Sequence, residues 1–240
     1  MKIKQLIRHV LKPWHSRQAA NALRDLEGRL RTPAARFAIP FIFRGAGFFK
    51  SIKPMQSQAE FGELYARITE RLPQRIIEIG TCHGGTLYLW CQAAHPKATI
   101  ISLDLPAGEF GGGYPACRAD FYRSFAAPGQ TLHLIRADSH SPETVRQIAP
   151  LLGDAKADLL FIDGDHTYDG VKRDFELYSP LVAKGGWIAL HDILPRADEP
   201  RIEVWRFWQE LKQLRPVAFE LADATPDGRA IGIGVVRAED

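Results

Sequence analysis

Five short stretches of the chain carry the side chains best suited to binding or reaction, and each follows a run that reads as a β-strand. The first, Glu78-Ile79-Gly80-Thr81-Cys82-His83-Gly84-Gly85-Thr86, is a glycine-rich turn that enters a helix. Glycines let backbone and ligand approach closely, and a helix N-terminus presents free N–H groups. Glu78, Gly80, Thr81, Cys82 and Thr86 are therefore candidates to contact a cofactor. Two familiar nucleotide patterns fail on spacing. Cys82 stands where G-x-G-x-x-G needs its second glycine, and Gly80…Gly85-Thr86 lacks the lysine of a phosphate loop. An acid before the turn also suits a cationic, phosphate-free ligand better than a pyrophosphate. Asp104 can accept two hydrogen bonds from the hydroxyls of a ribose, and Asp138-Ser139 can meet an adenine edge. The last two stretches, Asp163-Gly164-Asp165-His166 and His191-Asp192, combine carboxylates with imidazoles.

The text around these stretches predicts the elements that must position them. Residues 57–72 place Phe61, Leu64, Tyr65, Ile68 and Leu72 on one helical face. Apolar strands are expected at 75–80, 99–104, 131–137, 157–163 and 186–191, with helices at 84–95, near 116–125, after Ser141-Pro142, through Val171, Phe175, Tyr178 and Val182, and at 201–213. Ser141 reads as a helix cap with proline in the first turn. Gly108, Gly111, Gly112 and Gly113 suggest a mobile loop. Apolar strands that alternate with helices indicate a parallel sheet covered on both faces. Two final strands, 217–222 and 230–237, flank Pro226-Asp227-Gly228, a connection that suits an antiparallel hairpin. The expected fold is α/β: a Rossmann-like, doubly wound, mostly parallel seven-stranded sheet ending in that hairpin. In open sheets of this kind ligands bind beyond the strands' carboxyl ends, where the five stretches lie.

Charge divides the chain. Residues 1–56 carry twelve Lys/Arg against Asp25 and Glu27, so this basic N-terminal extension is +10 and residues 57–240 sum to −7. Such a leader can pack on the body as a helical extension, or meet an anionic surface such as a membrane leaflet. The apolar residues Phe37–Phe43 and Phe48-Phe49 call for cover by their own domain, a second copy in a homo-oligomer, or a lipid interface. No interleaving of aromatic and basic residues suggests single-strand nucleic-acid binding. Three cysteines without C-x-x-C give no case for disulfides or structural zinc. The start lacks a secretory pattern and no apolar stretch reaches about 18 residues, so a cytoplasmic location is expected, with peripheral membrane contact through 1–56 as the variant of that reading.

Glu78–Thr86, Asp104, Phe161-Ile-Asp-Gly-Asp-His-Thr-Tyr-Asp-Gly-Val-Lys-Arg-Asp174 and Gly185-Gly-Trp-Ile-Ala-Leu-His-Asp192 together resemble the class I S-adenosylmethionine-dependent methyltransferases. The branch they resemble holds macrolide-sugar O-methyltransferases and cephalosporin-hydroxylase-like proteins. The resemblance covers residues 57–237 and implies S-adenosylmethionine as cofactor, contacted by the residues above and by Asp163. It also implies a divalent metal, Mg²⁺ or Mn²⁺, at Asp163, His191 and Asp192, with His166 as general base. The acceptor would be a hydroxylated small molecule, such as a sugar or glycolipid. His191 departs from the acidic or amide ligand usual at its position, and imidazole favours borderline metals over magnesium. Two other readings stay open: a hydroxylase-like enzyme of the same fold, and a non-catalytic cofactor-binding or scaffold subunit.

Overall fold

The computed structural model describes residues 3–110, 113–222 and 231–239; Gly111, Gly112 and the Pro226-Asp227-Gly228 turn lie outside the described residues. Strands form where apolar, often β-branched residues predominate. They are β1 (Arg75–Ile79), β2 (Thr99–Asp104), β3 (Thr131–Arg136), β4 (Ala157–Ile162) and β5 (Val182–His191), followed by β6 (Val217–Leu221) and β7 (Ile233–Arg237). They build one seven-stranded sheet in the order β3-β2-β1-β4-β5-β7-β6. β1 to β5 pair in parallel, and β7 runs antiparallel to both β5 and β6. The sheet is thus doubly wound and ends in the expected hairpin. Strand order reverses between β1 and β4, so the ends of those strands open the crevice in which such sheets bind ligands.

Nine helices are described: α1 (Ile3–Arg29), α2 (Pro33–Phe37), α3 (Ile39–Ile42), α4 (Gln58–Arg71), α5 (Gly85–Ala93), α6 (Ala119–Arg123), α7 (Pro142–Ile148), α8 (Tyr168–Tyr178) and α9 (Val204–Leu214). Alternation along each strand separates two cores. Ile76, Leu159 and Phe161 face α4, α5 and α6, while Ile77, Leu160 and Ile162 face α7, α8 and α9.

The basic extension belongs to the first core. Ala19, Leu23, Phe43 and Phe49 are buried there. Phe43 stacks on Phe121 at 5.8 Å, Phe49 meets the same ring edge-on at 5.7 Å, and Arg36 donates to Gln92 at 2.9 Å. Its own domain covers Ile39, Phe43 and Phe49 of this apolar run, while Ile42 and Phe48 remain exposed.

Three local expectations need correction. Leu72 is not on the buried face of α4; it adopts φ 48° as the helix cap and is half exposed. Val182 does not extend α8, because a 3₁₀ turn at Ser179–Leu181 ends the helix and Val182 opens β5. Ser141 occupies the cap position of α7 without a side-chain cap bond, while Thr144 Oγ1 ties the turn to the Asp138 carbonyl at 2.7 Å.

Candidate functional site

The glycine turn after β1 is shaped by close approach. Gly80 has φ +100°, its N–H donates to Leu103 O, and a Cβ there would lie 2.0 Å from the Asp163 carbonyl oxygen. Only glycine lets the ends of β1 and β4 come together in this way. Gly85 performs a similar service for the extension: a Cβ would lie 2.3 Å from Ile52 O. Residues 52–54 therefore rest directly on the start of α5.

Beside the turn lies a cleft of about 260 Å³ bordered by Gly80, Cys82, Asp104, Asp138, Ser139 and Asp163. Asp104 accepts from Tyr114 N at 2.9 Å; burial raises its pKa to about 6, against N–H groups of Tyr114, Cys82 and Thr81 that favour its charge. Cys82 sits at φ 43°, and burial pushes its thiol up to about 11, followed by the repulsion of Asp163 and Asp104. A thiol held in that state is a contact group, not a nucleophile. Asp138 is exposed at the rim and caps His140 N at 2.9 Å, and Ser139 O accepts from Tyr178.

Three of the expected cofactor residues do not border this cleft. Glu78 is fully buried in β1, on the same face as Ile76, because strand alternation turns residue 78 toward α5. Its carboxylate accepts from Trp90 Nε1 at 2.9 Å and Ser102 Oγ at 2.5 Å, and Thr86 also hydrogen-bonds to it. Burial raises the Glu78 pKa to about 7 despite these bonds. Thr81 Oγ1 joins the same cluster through Ser102 at 2.6 Å. Glu78, Thr81 and Thr86 thus form a strut beneath the glycine turn.

The other half of the site is charged throughout. β4 and β5 are neighbours, as the metal reading needs, and their ends bring Asp163, His191 and Asp192 within 4.8 Å of one another. His191 Nδ1 lies 3.1 Å from both Asp163 Oδ1 and Asp192 Oδ2. His166 Nε2 lies 3.3 Å from Asp163 Oδ1 and 3.7 Å from Asp192 Oδ2, with its ring against Phe110. Burial works against charge on both imidazoles, but the two carboxylates outweigh it, raising His166 and lifting His191 well above its usual range. Burial likewise opposes ionisation of Asp163, and the histidines overcome it and hold that pKa far below normal. His191 Nε2 and Asp192 Oδ1 are buried without hydrogen-bond partners. Asp165 turns away to cap Thr167 N at 2.9 Å.

One site residue escaped the sequence reading. Gln56, at the end of the extension, donates Nε2 to Asp163 Oδ2 at 2.5 Å, and its Oε1 is buried without a partner. No motif marks it.

Residues 77–193 match the methyltransferase domain family. That stretch contains both halves of the site from Glu78 to Asp192 and leaves out Gln56. A segment of 147 residues, 60% of this chain, is 31% identical to the uncharacterized protein y4gI of Sinorhizobium fredii, of which it spans only 16%. Among solved structures, the O-methyltransferase from Bacillus cereus in complex with SAH aligns over 77% of this chain and 84% of its own, with TM-score 0.55 and 20% identity. The O-methyltransferase TomG from Streptomyces achromogenes, involved in tomaymycin synthesis and solved with SAM, aligns over 94% and 99%, with TM-score 0.55 and 15% identity. These two likenesses show a shared fold. Among the described residues no helix is long and apolar enough to cross a membrane.

Proposed function

We propose that the chain is an S-adenosylmethionine-dependent O-methyltransferase of a hydroxylated small molecule, assisted by a divalent cation. The observation that carries this reading is the clustering of His166, His191 and Asp192 around Asp163, which itself borders the cleft that begins at the glycine turn. The methyltransferase domain match supports the cofactor. S-adenosylmethionine supplies an electrophilic methyl group on sulfur. Asp104 would accept from the ribose hydroxyls, Asp138 and Ser139 would meet the adenine edge, and Gly80 and Cys82 would line the approach to the sulfonium.

The donor set fits a divalent cation: two carboxylates and an imidazole, with the buried His191 Nε2 and Asp192 Oδ1 still lacking hydrogen-bond partners. Asp163, His191 and Asp192 would hold it, and a cation there lowers the pKa of an acceptor hydroxyl and fixes its direction. The imidazole favours Mn²⁺ over Mg²⁺. His166 takes the hydroxyl proton at Nε2, and Asp163 and Asp192 stabilise the imidazolium that results. The same carboxylates favour either a bound cation or protonated histidines, so cation affinity falls as pH falls.

A cation-free reading is favoured by one observation: His166, His191 and Arg196 already lie within ion-pair distance of the two carboxylates. Calorimetry with S-adenosylhomocysteine, with and without MnCl₂ or MgCl₂, followed by labelled methyl transfer with and without EDTA, separates the two. Binding of S-adenosylhomocysteine and Mn²⁺-dependent transfer are expected. Transfer unaffected by EDTA removes the cation from the mechanism, and no binding of S-adenosylhomocysteine sinks the methyltransferase reading.

A further inference from the structure

The extension builds a second cavity against the domain. Residues 47–56 form one side of a groove of about 690 Å³, and His83 and Arg118 close the other. Lys50, Lys53 and Arg118 border it, and no acidic residue is among its described lining. Arg118 is 7% exposed; its Nη2 donates to Ser51 O at 2.6 Å and to His83 O at 3.3 Å, and its Nε is buried without a partner. Burial, and then the charge of Arg118, keep His83 toward its neutral form. Phe48 and Met55 add exposed apolar surface to the same wall.

The groove does not stand apart from the reactive end. A narrow space shares Lys53, Gln56 and His83 with it and shares Gly80, Cys82 and Asp163 with the cofactor cleft. Gln56 is the junction, because its amide touches Asp163 and its Oε1 remains unpartnered. This space, about 20 Å³ in volume, is the connection that leads from Asp163 toward Lys53 and the groove.

We infer that the acceptor carries a phosphate-class anionic group, bound in the groove by Lys50, Lys53 and Arg118, with an apolar portion against Phe48 and Met55. The inference rests on the methyltransferase reading for the hydroxyl end and on the groove alone for the anion. Charge at the scale of the whole chain agrees with it. The net positive charge of the chain lies in the +10 extension, which supplies Lys50 and Lys53 to the wall of the groove, beside a body that sums to −7. The phosphate can belong to a soluble ester or to a lipid headgroup, and both present the same dianionic or monoanionic oxygens to the lysines.

The test uses the full chain and three probes: glucose 6-phosphate, glucose, and vesicles containing phosphatidylglycerol. Wild type is compared with the double variants Lys50→Ala/Lys53→Ala and Lys50→Arg/Lys53→Arg, each titrated also with S-adenosylhomocysteine to verify folding. Expected is salt-sensitive binding of glucose 6-phosphate, weakened roughly tenfold or more in the alanine variant and restored in the arginine variant, with glucose binding the same in all three. Vesicle binding with the same lysine dependence, in place of the soluble ester, assigns the phosphate to a lipid headgroup. Equal phosphate affinity in wild type and the alanine variant, or no binding of either phosphate source by wild type, overturns the inference. Phosphate binding without S-adenosylhomocysteine binding would leave the groove standing and remove the function proposed above.

Discussion

Two buried carboxylates on neighbouring strands, Glu78 in β1 and Asp163 just past β4, have opposite electrostatics. Glu78 has only neutral hydrogen-bond partners and no cation beside it, so burial, helped by the repulsion of Asp104, raises its pKa to about 7. Asp163 faces His166 and His191, and their attraction overcomes a similar burial. Desolvation penalises the charged form in both places, and what differs is whether a neighbouring charge repays it. The first environment makes a hydrogen-bonded strut that can accept a proton near neutrality. The second keeps a permanent anion, which is what a cation or an imidazolium needs beside it.

That contrast can be broken by experiment. His166→Ala removes the proposed base from the charged half and should cut labelled methyl transfer by about 10²–10⁴-fold while S-adenosylhomocysteine still binds. Unchanged turnover would take His166 out of the chemistry. Gln56→Ala takes away the amide that holds Asp163 and should weaken Mn²⁺ binding by roughly 10–100-fold, measured by titration calorimetry, with Gln56→Glu retaining more affinity than the alanine. Equal Mn²⁺ affinity in both variants and wild type would make Gln56 a bystander.

The neutral half responds in stability. A carboxyl whose pKa is higher folded than unfolded binds protons more tightly in the native state. Its contribution to stability is therefore full below the usual value of 4.5 and is lost as pH rises to about 7. Denaturant unfolding of Glu78→Gln across that window should show a flatter pH dependence than wild type, and the variant should keep its affinity for S-adenosylhomocysteine. The smallest effect, a loss of affinity in Glu78→Gln with the pH slope intact, would reverse the roles assigned to the two carboxylates.

The sheet was legible because its signals are local and repeated: apolar strands such as Ala157–Ile162, glycine after β1, and a late pair of strands that pair antiparallel. The convergence of Asp163 with His191-Asp192 followed once β4 and β5 were placed side by side. Glu78 was misleading because it lies next to the glycine turn in sequence, yet the two-residue period of a strand points its side chain into the core. Thr81 and Thr86 followed it there through hydrogen bonds that no spacing reveals. Gln56 was invisible for a different reason. It reaches Asp163 across 107 positions, from a segment with no motif, and tertiary packing alone brings it there. Val182 shows the limit of periodicity, since a single 3₁₀ turn lets a strand begin in phase with the helix before it.

The missing methyl group at Gly80 has a mechanical consequence. The Asp163 carbonyl occupies the space that any other residue would fill, so the glycine turn and the charged half share one fixed distance. A larger residue at position 80 would wedge both strand ends apart at once. The two halves therefore have a common tolerance, and neither can be re-engineered for a bulkier ligand without moving the other.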